Sequence, residues 1–538
     1  MEFSEAEGET LRAQPARAAV VAAPLPLRRP LAFALAIASG LLYYLAFPGV
    51  GLWPLGFVSL APLLLSVRSQ RPVVAAALGL TAGTTTTFLG FFWLLGLLRQ
   101  FSGFPTAVCV ALLVLLSVAQ GGRAALLGVS TTWIDRKGWP HWVALLLAFV
   151  LAETAYPLLF PWYFGAVVHE WPRFIQLADI GGPVLLSVQL LVPNMVLADF
   201  AWRLLRRVPL PTRRYAVITG LALLLPLVYG SVRVALVDAA VRRAPTAKLG
   251  IVQGNVPMDL APGNAYRQKF EQQLAMTEQL QGQGAELVIW PESAFLYALP
   301  ADAPAPVLKR LLAGRVQVPL LVGALLEEDR NPHPRVFNSA LATDHAGNVV
   351  GRYDKRHLLP FGEYLPFGET FPVLYELSPG SGRISPGSSP APLPFEGRRI
   401  AVLICYEDVL PNVVVDAVRH GTPHLLVNLT NDAWFGNTHE PWAHLALAKL
   451  RAVEHHRFLV RATTTGVSAV IDPVGRLTAA TGTFVEASIL ERVAWLHGDT
   501  VYGWWGNGPW YLVCLLAVGA CVFGPSSLRS LRSGMLRS

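Results

Sequence analysis

Three short motifs contain side chains that together could activate a nucleophile. The motifs are Trp290-Pro-Glu292-Ser, Tyr353-Asp-Lys355-Arg and Ile404-Cys405-Tyr406-Glu407. A thiol becomes nucleophilic when a base removes its proton, and a neighbouring cation lowers its pKa and stabilises a developing oxyanion. Glutamate, lysine and cysteine can fill these roles without a histidine. The motifs therefore predict a nucleophilic site built from Glu292, Lys355 and Cys405.

Each of these residues also has an ordinary structural explanation when it is taken alone. Glu292 could be a solvated acid in a turn, and Lys355 could belong to a charged surface loop. Cys405 follows an apolar run and could be an inert thiol of a buried strand. What favours the catalytic interpretation is that each motif stands at a strand end followed by turn residues, since strand ends are rigid places from which side chains can converge.

The elements that must position these residues alternate between strands and helices. Helices are predicted at 266–283 and 442–456, and the sequence 379–394 has the Pro, Gly and Ser content of a surface loop. Strands are predicted at 248–255, 286–290, 318–322, 336–343, 400–404 and 424–429. This alternation predicts an α/β layered domain.

The remainder of the chain is strongly apolar. Of the 538 residues, 53% are hydrophobic and only 14% are charged, which excludes a single soluble domain and a disordered chain. Runs of about twenty apolar residues predict membrane spans. Eight spans are predicted, two of them between Leu31 and Val67 and the others near 73–98, 105–128, 141–163, 177–200, 215–237 and 507–525.

The distribution of arginine predicts the orientation of these spans. The net charge of +8 comes largely from arginines beside apolar runs, which favours membrane topology over nucleic-acid binding. With a cytoplasmic N-terminus, the short outside loops hold little more than Arg99 and Arg173, so the segment 238–506 lies outside the cytoplasm. The predicted parts are a disordered basic tail 1–30, a seven-span domain 31–237, an extracytoplasmic domain 238–506, a last span 507–525 and a cytoplasmic tail 526–538.

Longer motifs carry a family resemblance. The order of Glu292, Lys355 and Cys405 within their motifs resembles the carbon–nitrogen hydrolase (nitrilase) superfamily. Spans on both sides of the domain resemble the apolipoprotein N-acyltransferases of bacterial inner membranes. Supporting motifs are Phe160-Pro-Trp-Tyr-Phe-Gly165, Gln176-Leu-Ala-Asp-Ile-Gly181, Val252-Gln-Gly-Asn255, Phe337-Asn338-Ser339 and Asn428-Leu-Thr-Asn-Asp-Ala-Trp434-Phe-Gly436.

The resemblance implies an α-β-β-α sandwich with a Glu-Lys-Cys triad. Glu292 would be the general base, Lys355 the oxyanion stabiliser and Cys405 the nucleophile, with the Tyr406 N–H as a second oxyanion donor. Further supporting or substrate-binding positions implied by the resemblance are Glu363, Tyr406, Glu407, Asn338 and Trp434. The family often has a Trp shortly after the Val252–Asn255 motif, whereas this chain has Met258-Asp-Leu-Ala-Pro-Gly-Asn-Ala-Tyr266 there.

The implied reaction moves a fatty acyl group from a phospholipid, through a cysteine thioester, to the N-terminal amine of a diacylglyceryl-modified apolipoprotein. The enzyme would act as a monomer in the bacterial inner membrane, without metal or organic cofactor and without nucleic acid. The alternatives are a membrane-anchored nitrilase-like amidase and a transporter with a non-catalytic outer domain.

Three further polar features invite a separate interpretation. His439 and His444 lack the spacing of a zinc-binding helix, which argues against a metal site. His455 and His456 are predicted at the end of a solvated helix. Glu153 lies within a predicted span and either orients lipid head groups or pairs with a buried polar group.

Overall fold

A computed structural model describes residues 25–257, 263–295, 297–312, 314–329, 334–378 and 380–525. Residues 1–24 of the predicted tail 1–30, and the whole predicted tail 526–538, lie outside the described residues. The described chain has a helical part up to Arg243, a part built of strands and helices, and two further helices from Val501 to Val522.

The helical part begins with a run of helices joined by short turns. Single turns of tighter helix occur at Trp53–Phe57 and Phe164–Val168. The helices are α1 (Arg29–Leu45), α2 (Ala61–Val67), α3 (Pro72–Gly90), α4 (Leu94–Ser102), α5 (Thr106–Arg136), α6 (His141–Ala155), α7 (Pro172–Ile175), α8 (Ala178–Leu205) and α9 (Thr212–Arg243).

Four helices among the described residues are long and apolar enough to cross a membrane. They are α3, α5, α8 and α9. Shorter apolar helical segments are Arg29–Leu45, Trp53–Val67, His141–Ala155 and Gly508–Val522, and each coincides with a predicted span. The predicted span 73–98 is interrupted, because α3 ends at Gly90 and the chain turns before α4. The aromatic ring of Trp93 packs there against Phe435 of the strand-containing part, with ring centroids 4.8 Å apart.

Small residues allow α3 and α5 to pack with their backbones in contact. A Cβ atom on Gly79 would lie 2.0 Å from the carbonyl oxygen of Ala124, and one on Gly128 would lie 2.3 Å from that of Ala75. Close approach through small residues is the usual way in which helices associate in a membrane, where dispersion contacts replace the hydrophobic effect. The helical part is therefore packed as membrane helices are.

Glu153 of α6 is held inside the helical part by an ion pair. One carboxylate oxygen lies 3.2 Å from Nη1 of Arg123 on α5, and the other accepts hydrogen bonds from the Phe164 N–H and the Ser187 hydroxyl, both at 2.7 Å. Arg123 also donates to the carbonyl oxygen of Trp162. Of the two interpretations of Glu153, the structure supports pairing with buried polar groups, and the pair fixes the loop that follows α6.

The strand-containing part has two sheets. The first has the order β13-β1-β2-β4-β5-β6, with β3 beside β4, and the second has the order β12-β11-β10-β9-β8-β7. The strands are β1 (Thr246–Gln253), β2 (Leu287–Ile289), β3 (Leu299–Pro300), β4 (Leu320–Glu328), β5 (Arg335–Thr343), β6 (Val349–Asp354), β7 (Leu393–Phe395), β8 (Arg398–Ile404), β9 (Leu425–Thr430), β10 (Leu459–Thr463), β11 (Ala469–Ile471), β12 (Leu477–Ala480) and β13 (Ala487–Ala494).

Seven further helices follow α9 among the described residues. The helices are α10 (Asn264–Gly282), α11 (Pro304–Leu312), α12 (Val373–Leu377), α13 (Pro411–Gly421), α14 (Glu440–His455), α15 (Val501–Trp505) and α16 (Gly508–Val522). Four of them, α10, α11, α13 and α14, cover the outer faces of the two sheets. One apolar cluster joins the facing sides of the two sheets, for example Ile251 with Val402. A second joins α10 and α11 to the first sheet, and a third joins α13 and α14 to the second. The layers are therefore α-β-β-α.

Helix α14 also connects this sandwich to the membrane helices. Leu445 and Ala448 pack on the second sheet, whereas Leu447 and Leu450 belong to the core that the membrane helices form. Both sides of the helix are consequently covered. This contradicts the prediction that His455 and His456 lie at a solvated helix end, because both are buried, and His456 Nε2 lies 3.2 Å from the carboxylate of Asp179 on α8.

Candidate active site

Cys405 lies at the turn between β8 and α13. Strand β8 has buried apolar residues up to Ile404, and Cys405 follows with φ of +49°, in the left-handed region that non-glycine residues rarely adopt. Such backbone strain is common at functional sites because it aims a side chain where a regular element would not. The Cys405 side chain is buried and lines a cavity of about 370 Å³.

Glu292 follows β2 and lines the same cavity. Its Oε1 accepts a hydrogen bond of 2.6 Å from the Asn338 amide, whereas its buried Oε2 has no hydrogen-bond partner among the described residues. Burial raises the pKa of Glu292, with Glu363 adding to the effect and Lys355 opposing it. A raised pKa and a free oxygen are what a general base needs in order to take a thiol proton.

Lys355 follows β6 and is only 1% exposed. Its Nζ lies 2.8 Å from a Glu363 carboxylate oxygen and 3.6 Å from Oε1 of Glu292. Burial opposes the charge, but the carboxylates of Glu363 and Glu292 raise the pKa of Lys355 above its usual range. Lys355 is therefore a fixed ammonium group in the wall of the cavity that Cys405 also lines.

Asn338 and Glu363 fix the positions of the Glu292 and Lys355 side chains. The Asn338 amide donates to both carboxylates, at 2.6 Å to Glu292 and 3.0 Å to Glu363. Glu363 also accepts a 2.8 Å hydrogen bond from the Leu359 N–H. Both supporting residues are thereby brought to the site, with Asn338 on β5 and Glu363 in the loop after β6.

Glu407 joins the lysine loop to the cysteine turn. The fully buried carboxylate accepts hydrogen bonds from the N–H groups of Ile404, Arg356 and His357 and from the Tyr353 hydroxyl, all between 2.8 and 3.0 Å. Burial raises the pKa of Glu407, and the three N–H donors oppose the rise. Its position makes it a residue that fixes the backbone on both sides of the site.

Tyr406 connects the cysteine turn to the membrane helices. Its hydroxyl donates a 2.8 Å hydrogen bond to the carbonyl oxygen of Leu159, in the loop that the Glu153–Arg123 pair fixes. Burial raises the pKa of Tyr406 to about 12, so the hydroxyl keeps its proton at neutral pH. The nucleophile turn is thus held from the membrane side as well as from within the sandwich.

Aromatic side chains complete the wall of the cavity. Trp434, predicted as a supporting residue, lines it together with Phe435 and Tyr266. Residues 258–262, where the sequence departs from the family pattern, lie outside the described residues. Tyr266, at the end of that stretch, is an aromatic side chain that reaches the cavity in the absence of the family Trp.

A buried polar cluster behind the cysteine turn went unrecognised in the sequence. Ligand atoms of Asp432, Glu440 and His444 lie within 4.8 Å of one another, which is close enough for a metal ion. However, both ring nitrogens of His444 face carboxylate oxygens, and Asp408 and Asp432 raise its pKa to about 10 against burial and the nearby Arg461. A protonated imidazole has no lone pair for a metal. The donor set therefore fits an ion-pair network better than a metal site.

The layered fold with a cysteine at a strand end defines a class, that of the carbon–nitrogen hydrolases. The family model described as Carbon-nitrogen hydrolase matches residues 248–493, and the model described as Apolipoprotein N-acyltransferase N-terminal domain matches residues 39–196. A protein of Geobacter metallireducens called "Apolipoprotein N-acyltransferase" is 31% identical over 513 residues, covering 93% of this chain and 95% of its own length. The chain belongs to the apolipoprotein N-acyltransferase family, and it is an acyltransferase.

A second relative agrees with this assignment. A Rhodopseudomonas palustris protein of the same name is 33% identical, over 65% of this chain and 67% of its own. A solved structure of an amidase variant from Nesterenkonia sp. AN1 is 21% identical over 51% of this chain and 98% of its own, with a TM-score of 0.36. Because the Geobacter relative matches both the helical part and the sandwich, neither a membrane-anchored amidase nor a transporter is supported.

Proposed function

We propose that Cys405 is the nucleophile, Glu292 the general base and Lys355 the oxyanion stabiliser of a two-step acyl transfer. The observation that carries this proposal is the shared cavity, in which a strained cysteine, a glutamate with a free buried oxygen and a fixed ammonium group are neighbours. Every residue of this set comes from one chain, so the reaction needs no second copy, and we infer that the protein acts as a monomer.

The first step transfers an acyl group from a phospholipid to the cysteine. Glu292 accepts the proton of the Cys405 Sγ, and the thiolate attacks the carbonyl carbon of the ester. Nζ of Lys355 and the N–H of Tyr406 stabilise the oxyanion of the tetrahedral intermediate. The C–O bond of the ester then breaks, the departing alkoxide takes the proton back from Glu292, and a lysophospholipid leaves behind an acyl thioester.

The second step transfers the acyl group to an amine. The N-terminal amine of a diacylglyceryl-modified apolipoprotein attacks the thioester carbon, and the same two donors stabilise the oxyanion. Glu292 takes a proton from the attacking nitrogen as the C–S bond breaks, and it returns this proton to the sulfur. The products are an amide and the free thiol, so the enzyme is regenerated without any cofactor.

The surroundings of Cys405 support a lipid donor. Cys405 also lines a second, smaller cavity of about 60 Å³. Phe47, Phe91, Trp93, Phe160 and Trp162 of the membrane part and Phe435 of the sandwich line it as well. An apolar wall that continues from the nucleophile towards membrane helices suits an acyl chain, because exposure of the chain to water is unfavourable.

A test of the proposal is to isolate the first step by omitting the acceptor. Purified protein mixed with phosphatidylethanolamine vesicles should release about one equivalent of lysophospholipid per enzyme. The release should then stop, because the acyl thioester persists when no amine is present to accept the acyl group. Mass spectrometry should find the acyl group on the peptide that contains Cys405, and an added diacylglyceryl peptide should remove it. Continuous release of free fatty acid without acceptor would instead indicate a hydrolase.

We further propose eight membrane spans, with the segments 31–237 and 507–525 in the inner membrane and 238–506 on the periplasmic side. Eight apolar helical segments and the scarcity of arginine in the outside loops support this arrangement. Helices shorter than about twenty residues can still cross where the surrounding bilayer thins or flanking residues extend to the interface.

The arrangement predicts the labelling of single cysteines. In a background in which all four native cysteines are replaced by alanine, we expect Asn437→Cys, at an exposed site of the sandwich, to react with a membrane-impermeant maleimide from the periplasmic side. Lys137→Cys, at an exposed site between α5 and α6, should react only after the inner membrane is opened. The reverse pattern would place the sandwich in the cytoplasm and overturn this topology.

A further inference from the structure

His444 is the centre of a buried network behind the nucleophile turn. Its Nε2 lies 2.7 Å from Oδ1 of Asp408, and its Nδ1 lies 3.2 Å from Oδ1 of Asp432. Arg461, fully buried on β10, bonds the same two carboxylates, with Nη1 at 2.7 Å from Asp408 and Nη2 at 3.0 Å from Asp432. Each carboxylate is therefore shared between an imidazole and a guanidinium group.

The charges of this network balance only when His444 is protonated. Glu440, one turn earlier on α14, lies 3.8 Å from Nδ1, and burial together with Asp432 raises its pKa well above the usual range, which favours its neutral form. Two carboxylates then face two cations. Removing one partner of a buried pair leaves an uncompensated charge in a medium of low dielectric constant, which is strongly unfavourable.

Each member of the network lies on an element that builds the active site. Asp408 belongs to the turn that begins with Cys405, and Asp432 begins the turn that brings Trp434 to the cavity. Arg461 also donates to Oδ1 of Asn428, whose amide nitrogen lies 3.2 Å from the carbonyl oxygen of Cys405. The network thus reaches the nucleophile through Asp408 and, separately, through Asn428.

We propose that His444 is a positioning residue for acyl transfer, which clamps the Cys405 turn to the Asp432 turn and compensates the negative charge of the Asp432 carboxylate. Burial and the Glu292 carboxylate are the larger causes of the raised pKa of the Cys405 thiol, and the negative charge of Asp432 has a further influence in the same direction. A cation bound to Asp432 reduces that influence and makes the thiolate easier to form. The inference rests on the proposed role of Cys405 as nucleophile.

Alkylation of Cys405 by iodoacetamide measures thiolate formation without any acyl transfer. We expect His444→Gln to alkylate about tenfold more slowly than the wild type at neutral pH, with its rate profile moved by about one unit to higher pH. The adduct is counted on the Cys405 peptide by mass spectrometry. His420→Gln is the matched control, because His420 is exposed on α13. Cys405 of this variant should be alkylated at the wild-type rate.

A second variant separates charge compensation from a general packing effect. Adding Asp432→Asn to His444→Gln removes the uncompensated carboxylate and should return the alkylation rate to within about threefold of the wild type. This double variant also carries the test if His444→Gln alone does not fold. An unchanged profile in His444→Gln, or no recovery in the double variant, would overturn the proposal. Failure of Cys405 as nucleophile would appear instead as an acyl adduct on another residue.

Discussion

The Cys405→Ser variant should fold normally and lose acyl transfer by about a thousandfold or more. A serine hydroxyl is far less acidic than a thiol, so a carboxylate such as Glu292 cannot generate the nucleophile from it at neutral pH. Losing a nucleophile is among the most damaging single changes an enzyme can undergo, because no other group takes its place. Because serine is nearly the same size, neither the strained turn at φ of +49° nor the cavity wall should change.

Two measurements check this result. Mass spectrometry with phospholipid vesicles should find no acyl group on the variant, and its thermal unfolding midpoint should stay close to that of the wild type. Cys521→Ser is the matched control, since Cys521 lies in α16 away from the cavity and should leave transfer unaffected. Near-normal transfer by Cys405→Ser would show that another residue carries the acyl group.

Lys355→Ala and Glu292→Gln should each reduce the rate severely, and for related reasons. Loss of one oxyanion donor typically costs about 2.7–4 kcal/mol, or roughly a hundred- to a thousandfold in rate. Lys355→Ala also removes the cation between Glu363 and Glu292, which raises the pKa of Glu292 further. Glu292→Gln should block both steps, because one carboxylate accepts the thiol proton and later the proton of the amine.

The double variant that combines Lys355→Ala with Glu292→Gln shows whether the two groups cooperate or act independently. Because both residues act on one transition state, we expect the double variant to be little slower than the slower single variant. Arg356→Ala is the control for Lys355→Ala, since the Arg356 side chain pairs with Asp416 at 2.6 Å and does not line the cavity. An equally large loss in Arg356→Ala would mean that the loop acts through its charge and not through Lys355.

The pH profile gives a further check on Glu292. The base must be ionised, and burial raises its pKa, so activity should fall as the pH decreases through a range above that of an ordinary carboxyl group. The residual activity of Glu292→Gln should lack this acid limb. An acid limb that persists unchanged in Glu292→Gln would assign the titrating group elsewhere.

The sequence by itself determined the class of fold and the residues that form the candidate site. Apolar runs that end in polar motifs predicted β8 at 400–404 and β9 at 424–429, and the observed strands begin and end within two residues of those limits. Burial of both faces makes these runs continuously apolar, so pattern alone identifies them. Glu292 and Cys405 come shortly after predicted strands, whereas the strand before Lys355, β6, is not among the predicted strands.

Only the tertiary structure decided how these residues are held. The amide of Asn338 between Glu292 and Glu363, and the hydroxyl of Tyr406 on Leu159, join residues that are 25 to 247 positions apart. Such contacts depend on the relative placement of sheets and helices, which local pattern does not encode.

The same reason explains the errors in the sequence-based interpretation. Polar residues near the end of α14 indicate a solvated helix only if one side of the helix is free. In the structure the second sheet covers one side of α14 and the membrane helices cover the other, so His455 and His456 are both buried. Whether a polar side chain contacts water or a buried charged group depends on which elements pack against its helix. For His456 the charged group is Asp179 of α8, more than two hundred residues away in the sequence.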